Sequence, residues 1–175
     1  MARSCSIGDL MLQHIRWHND ALVCTLPKHK GDQVGDKIVD RHVFANPLNP
    51  VICPILSLGV LLFCKPFREH GGLQQVFEGN RSECRFSEIL SCILADLSEA
   101  SKLLLGANIQ DLGTHSGRKG SSSFALSMIG GPTPVQVFLR AGWSLGNVPD
   151  RYLFSGEGGD QLSGRCVCGL PITYE

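Results

Sequence analysis

The sequence predicts an α+β fold: mainly α, with a small antiparallel β-sheet near the N-terminus. Two observations predict it. Short β-branched and apolar runs separated by turn residues crowd into the first fifty or so positions, the pattern of half-buried strands. Beyond Cys53 the apolar spacing changes to three and four residues, the period of a helix with one buried face. The chain has 175 residues, 43% of them hydrophobic, enough to fill the core of one domain or a little more.

Taken in order, "SIGDLML" over 6–12 reads as a short helix. The stretch "HIRWHNDALVCTLPKHKGDQ" reads as a β-hairpin, with turn chemistry at His18-Asn19-Asp20 and a strand in "ALVCTL". A second turn falls near "KGDQVGD", and "RHVFANP" is a third strand stopped by Pro47 and Pro50. "ICPILSLGVLLFC" has a proline where a helix start tolerates one, and Lys65-Pro66 closes it. Its apolar character nearly all round predicts a buried helix. After a Gly-rich, charged loop, Phe86, Ile89, Leu90, Ile93, Leu94 and Leu97 mark the clearest amphipathic helix, and Gly106 stops the helical stretch that follows from it. Further helices are expected in "THSGRKGSSSFALS", in "TPVQVFLRAGW" and in "NVPDRYLF". The Gly-rich end "SGEGGDQLSGRCVCGLPITYE" reads as a loose tail.

Lys and Arg number 16, as do Asp and Glu, so the formal charge is zero. That argues against a strongly electrostatic nucleic-acid binder without excluding one, because a local cluster can act within a neutral total. Eight cysteines are scattered, several inside apolar runs, and the N-terminus "MARSCSIGDL" lacks the apolar stretch of a secretory signal. They are read as reduced thiols of an intracellular protein. No C-x-x-C spacing occurs, so no metal site is expected. The longest apolar run is too short and interrupted to span a membrane.

Chemistry concentrates in "GTHSGRKGSSS". His115 and Arg118 stand three residues apart, on one face of a helix. At a helix start that face also carries unpaired N–H groups and a positive dipole end, a combination suited to phosphate. Arginine suits a phosphodiester because its planar fork donates two parallel hydrogen bonds and keeps its charge. Further along, Trp143 sits at a helix end in "RAGWSLG", and Tyr152 follows in "DRYLF". A tyrosine near cations and a phosphate can serve as nucleophile. The leaving alkoxide needs a proton, which a lysine on a hairpin tip can deliver. Lys28 and Lys30 both qualify; Gly31 favours Lys30. Arg3 is the candidate second arginine.

This ordered set, Arg3, Lys30, His115-Ser116-Gly117-Arg118, Trp143 and Tyr152, resembles the catalytic domain of tyrosine recombinases, the phage-integrase-like enzymes. "HKGDQVG", "FANP", "CPILSLG", "THSGRKG", "RAGWSLG" and "DRYL" are similar to the recombinase-like proteins of eukaryotic mobile elements such as cryptons. The resemblance implies a DNA breaking-rejoining catalytic core and site-specific recombination or integration through a 3′-phosphotyrosyl intermediate. It implies that Tyr152 attacks phosphorus, Arg3 and Arg118 hold the non-bridging oxygens, and His115 assists proton transfer. Trp143 packs on and positions the phosphate, and Lys30 protonates the 5′-oxygen. The implied partners are double-stranded DNA and further copies of the chain assembled on it. No cofactor or metal is implied, and the location is nuclear in a eukaryotic host.

The family often carries an acidic residue three positions after its first arginine; here that position is Ser6. Arg3, the first catalytic arginine, stands at the very N-terminus, so an N-terminally truncated catalytic domain is expected over 1–155, with the tail over 156–175. Two other functions are open at this point: an inactive or DNA-binding-only remnant of a mobile element, and a type IB topoisomerase-like enzyme that relaxes DNA without a specific site.

Overall fold

The computed structural model describes residues 7–26, 39–64, 74–78, 82–106, 108–143 and 157–171. They are mainly helical, with one three-stranded antiparallel sheet. Strands β1 (Ile15–His18), β2 (Ala21–Leu26) and β3 (Val39–Phe44) form a meander in that order. β1 and β2 meet through Asn19-Asp20, with His18 paired to Ala21 and Asn19 at φ 53°. Asparagine tolerates that left-handed backbone, which is why the expected turn forms there. β2 and β3 pair from Ala21↔Phe44 to Leu26↔Val39.

Strand periodicity divides the sheet into two buried faces. One carries Leu26 with Leu10 and Val76, joined by Ile15, Cys24, Leu58 and Phe77. The other carries Ala21, Val23, His42 and Phe44. The helix expected over 6–12 does not continue past its first residues. Leu10 and Leu12 instead exchange backbone hydrogen bonds with Val76 and Gln74, and Met11 bridges Gln75. Pairing with this distant segment of the same chain overrides local helix preference, because Leu10 and Val76 pack in one buried cluster.

Among the described residues, six α-helices follow: α1 (Pro54–Phe63), α2 (Ser82–Asp96), α3 (Glu99–Leu104), α4 (Thr114–Ser127), α5 (Pro134–Ala141) and α6 (Glu157–Val167). The prolines at the starts of α1 and α5 fall where predicted. α1 is not the buried helix that its composition suggested. No α1 residue is buried, and Phe63 is 86% exposed. A uniformly apolar helix states what it would bury beside a partner, not that the partner is present. On α2 the periodic stripe is split: Leu90 and Leu94 are half-buried, while Phe86, Ile89 and Ile93 are exposed.

The largest correction concerns the end of the chain. The Gly-rich segment read as a loose tail contains α6, which packs on β3 and α5. Ala125 of α4, Val137 of α5 and Cys166 of α6 form a second core with Met128, Phe138 and Val167 around it. The glycines were read as breakers, but Gly164 permits close approach. A Cβ there would stand 2.6 Å from the His42 carbonyl oxygen and 3.1 Å from the Phe44 ring. Arg165 stacks 5.1 Å above that ring and pairs with Asp20 at 2.8 Å, fastening α6 to the hairpin turn. Asn46 fastens its other end, donating to the Cys168 carbonyl at 2.8 Å.

The deepest tie is Asp160. Its carboxylate pairs with Arg140 of α5 at 2.7 Å and accepts from the His42 backbone N–H at 2.7 Å. His42 Nδ1 lies 2.9 Å from the same oxygen, and Arg41 is 3.5 Å from the other. Arg140 also donates to the carbonyls of Asp160 and His42, at 2.9 and 2.8 Å. Removing the carboxylate takes the counter-charge from buried Arg140 and half-buried Arg41, a loss that typically costs about 3–5 kcal/mol. Asp160→Ala is therefore expected to lower urea stability by about that amount, whereas a loss under about 1 kcal/mol would remove the network from this role. Gly164→Ala is expected to lose about 1–3 kcal/mol by overpacking in the same measurement.

Candidate functional site

The site grows from two helix ends that meet. α4 begins at Thr114, with Gly113 extended before it. Ser116 reaches back and accepts the Gly113 N–H at 3.0 Å, fixing the first turn. His115 is exposed on that turn, and Lys119 is exposed on the next. Arg118, one turn past His115, is half-buried and directed toward α5.

α5 is closed at both ends. Thr133 and Gln136 cap its start reciprocally, at 2.8 and 3.4 Å. Gly142 stops it at φ 65°, a left-handed conformation that favours glycine. The Gly142 N–H donates to Leu139 at 3.0 Å and the Trp143 N–H to Phe138 at 2.9 Å, the paired bonds of a Schellman end. That motif brings residue 143 back over residue 138, and the Trp143 ring packs edge-on against Phe138 at 5.4 Å. Trp143 is thus positioned by the way the helix stops.

Arg118 completes the arrangement. One of its terminal nitrogens donates to the Ala141 carbonyl, one of the acceptors that a helix end leaves without an intrahelical partner. Its guanidinium carbon stands 5.4 Å from the Trp143 ring centroid, within cation–π range. The structure therefore brings Arg118 and Trp143 together across 25 positions of chain (143 minus 118), with His115 on the turn before Arg118. Arg3, Lys28, Lys30 and Tyr152 lie outside the described residues. Lys28 and Lys30 belong to the chain joining β2 to β3.

Sequence reasoning missed Arg41. It projects from β3 to the same end of α5, donating to the Leu139 carbonyl at 3.1 Å. Burial pushes its pKa down; Asp160 opposes that, while the charges of Arg140 and Arg118 add to the lowering. The available signal was the run Asp40-Arg41-His42 inside a strand of Val and Phe. Three ionisable residues in a half-buried strand require partners, and here those partners are Arg16 and Thr25 for Asp40, and Asp160 for the other two. Arg41, Arg118 and Arg140 all converge on the C-terminal half of α5, where the helix dipole favours cations.

Among the described residues, no group of three or more His, Cys, Asp or Glu side chains is placed to hold a metal ion. Nor is any described helix long and apolar enough to cross a membrane. The chain matches no protein-family model, no curated protein and no solved structure.

If the Arg118–Trp143 contact holds the two helix ends together, the residues are energetically coupled. A double-mutant cycle of Arg118→Ala and Trp143→Ala, read by urea unfolding, is expected to give about 0.5–1 kcal/mol of coupling. Strict additivity would contradict the stacked geometry.

Proposed function

We propose that this chain breaks and rejoins DNA strands in the manner of a tyrosine recombinase. The observation that carries the reading is the meeting of Arg118 and Trp143 at the end of α5, with His115 on the first turn of α4. Composition and helix periodicity do not require those residues to meet. The recombinase-like order of the sequence pairs them at one phosphate.

In this reading the Tyr152 phenolic oxygen attacks the scissile phosphorus, and the bond from phosphorus to the 5′-oxygen breaks. Lys30 gives its proton to that departing oxygen. The product is a 3′-phosphotyrosyl link, which a 5′-hydroxyl later attacks to reseal the strand and release the tyrosine. Bond energy is held in the link, so the cycle consumes no nucleotide. Arg3 and Arg118 face the non-bridging oxygens, where charge accumulates and fixed donors contribute most. His115 assists proton transfer, and Trp143 fixes the Arg118 plane beneath the phosphate. Double-stranded DNA is the substrate, and copies of the chain assemble on it to exchange strands. Relaxation of plasmids without site preference would instead mark a topoisomerase-like cycle using the same tyrosine.

One observation favours a second reading, a DNA-binding remnant without chemistry. Arg118 and Trp143 both have structural work at the end of α5, as carbonyl donor and as Schellman partner. That work preserves the pair whether or not strands are cut.

Trapping separates the two. Short duplexes of randomised sequence, each with a 5′-bridging phosphorothiolate, hold a cleaved strand on the enzyme because the sulfur leaves but does not return. The wild-type chain is expected to form a covalent adduct that survives denaturing electrophoresis, and Tyr152→Phe to form none. Arg118→Ala is expected to slow adduct formation by about 10²–10³. An adduct undiminished in Tyr152→Phe would refute the nucleophile. Retained duplex binding with no adduct from the wild type would select the remnant.

A further inference from the structure

We infer that the outward face of α1, with the turn that leads into it, is a self-association surface through which two copies of this chain pair about a two-fold axis in the absence of DNA. The inference stands apart from the strand-transfer reading: the pairing needs neither a phosphate nor Tyr152.

The way α1 is held is the first argument. Cys53 opens the helix: its Sγ accepts from the backbone N–H groups of Asn46 and Leu56, at 3.3 and 3.4 Å. Further in, Leu58 packs against the core of Leu10, Leu26 and Val76. These two ties fix which face of α1 turns outward. Leu56, Val60 and Phe63 follow at i, i+4 and i+7, so they share one face, and they are 50%, 54% and 86% exposed. Ile52, on the 3₁₀ turn just before the helix, is 58% exposed, and Leu48 and Val51 near it are more so. A surface helix ordinarily carries polar residues on such a face. Gly59 is three positions from Leu56 and four from Phe63, hence adjacent to both on the helix surface.

What covers that face is the second argument. From residue 48 to residue 64 there is no Lys, Arg, His, Asp or Glu, so a partner selected by charge finds nothing to pair with. A two-fold contact sets a patch against itself. Any charge on it would meet its like, and this patch carries none. The area agrees. At about 150–200 Å² for a large apolar side chain fully exposed, Leu48, Val51, Ile52, Leu56, Val60 and Phe63 together offer roughly 600–800 Å². A standard interface takes about 800 Å² from each partner. Gly59 supplies a place of close approach. Glycine weakens a helix interior relative to alanine, and a Cβ here would meet no described atom within 4 Å. The chain's own packing makes no use of the missing side chain. A second α1 crossing at this point does, because its ridge of apolar side chains then rests beside the Gly59 backbone.

Sedimentation equilibrium of the full chain, free of DNA, tests the inference. The expected result is a reversible monomer–dimer equilibrium with a dissociation constant of about 1–10 μM and no larger species. Val60→Glu sets two like charges in the middle of the contact and is expected to raise that constant at least about a hundredfold. Leu104→Glu, at an exposed position on α3, is expected to leave it unchanged. If Val60→Glu fails to fold by circular dichroism, Gly59→Ala replaces it. Its methyl has room within one chain and favours the helix, so the monomer keeps its fold, while dimerisation is expected to weaken about tenfold. A wild-type chain still monomeric at about 100 μM overturns the inference, as does one that associates only when duplex DNA is added. So does a dimer whose dissociation constant is unchanged in the folded variant. Open-ended aggregates that Leu104→Glu disperses as well as Val60→Glu overturn it too, since they mark general stickiness rather than a two-fold contact. No tyrosyl–DNA adduct enters the measurement, so rejecting this surface and rejecting strand transfer are separate outcomes.

Discussion

The carboxylate of Asp160 is the constraint on which the rest of the molecule depends. It lies on α6, yet its partners are on β3 and α5, so three segments distant in sequence are fixed by one buried group. A buried charge of this kind is tolerable only when every acceptor position is used, and the neighbours of Asp160 meet that condition. The consequence reaches the surface. With β3 and α5 locked in register, the C-terminal end of α5 is presented beside the first turn of α4. Gly164 lets α6 lie directly on the β3 backbone, without which the carboxylate could not reach His42.

A helix end needs acceptors satisfied, and the end of α5 uses long cationic side chains for that purpose. Arg118 and Arg41 each donate to one of its last carbonyls. Arg118 also lies against the Trp143 ring, since the Schellman stop that ends the helix places Trp143 there. In the proposed function, structural and functional roles would coincide in Arg118 and Trp143. Under that proposal, loss of Arg118 would change both stability and phosphate binding, which is why coupling energies and ligand affinities must be measured as separate quantities.

Much of the scaffold was legible from local signals. The meander followed from Asn19-Asp20 and the strand alternation, and α5 lies within "TPVQVFLRAGW", the stretch read as a helix. The position of His115 and Arg118 near the start of α4 was legible too. What escaped was non-local. Nothing in "SGEGGDQLSGRCV" announces that Asp160 meets Arg140 and His42, because glycine reads as a breaker until the backbone it approaches is known. Arg41 was passed over for a related reason: a strand residue declares its face only relative to its partners. The exposure of α1 was missed because hydrophobicity reports a tendency to be covered rather than the presence of a cover.

The measurement that tests the central claim most directly is the anomalous diffraction of crystals of this chain soaked in tungstate, a heavy analogue of phosphate. The account predicts one ordered tungstate at the C-terminal end of α5, contacted by the guanidinium of Arg118 with Trp143 behind it. Tungstate ordered elsewhere, or absent from that end while Arg118 remains on the Ala141 carbonyl, would contradict it.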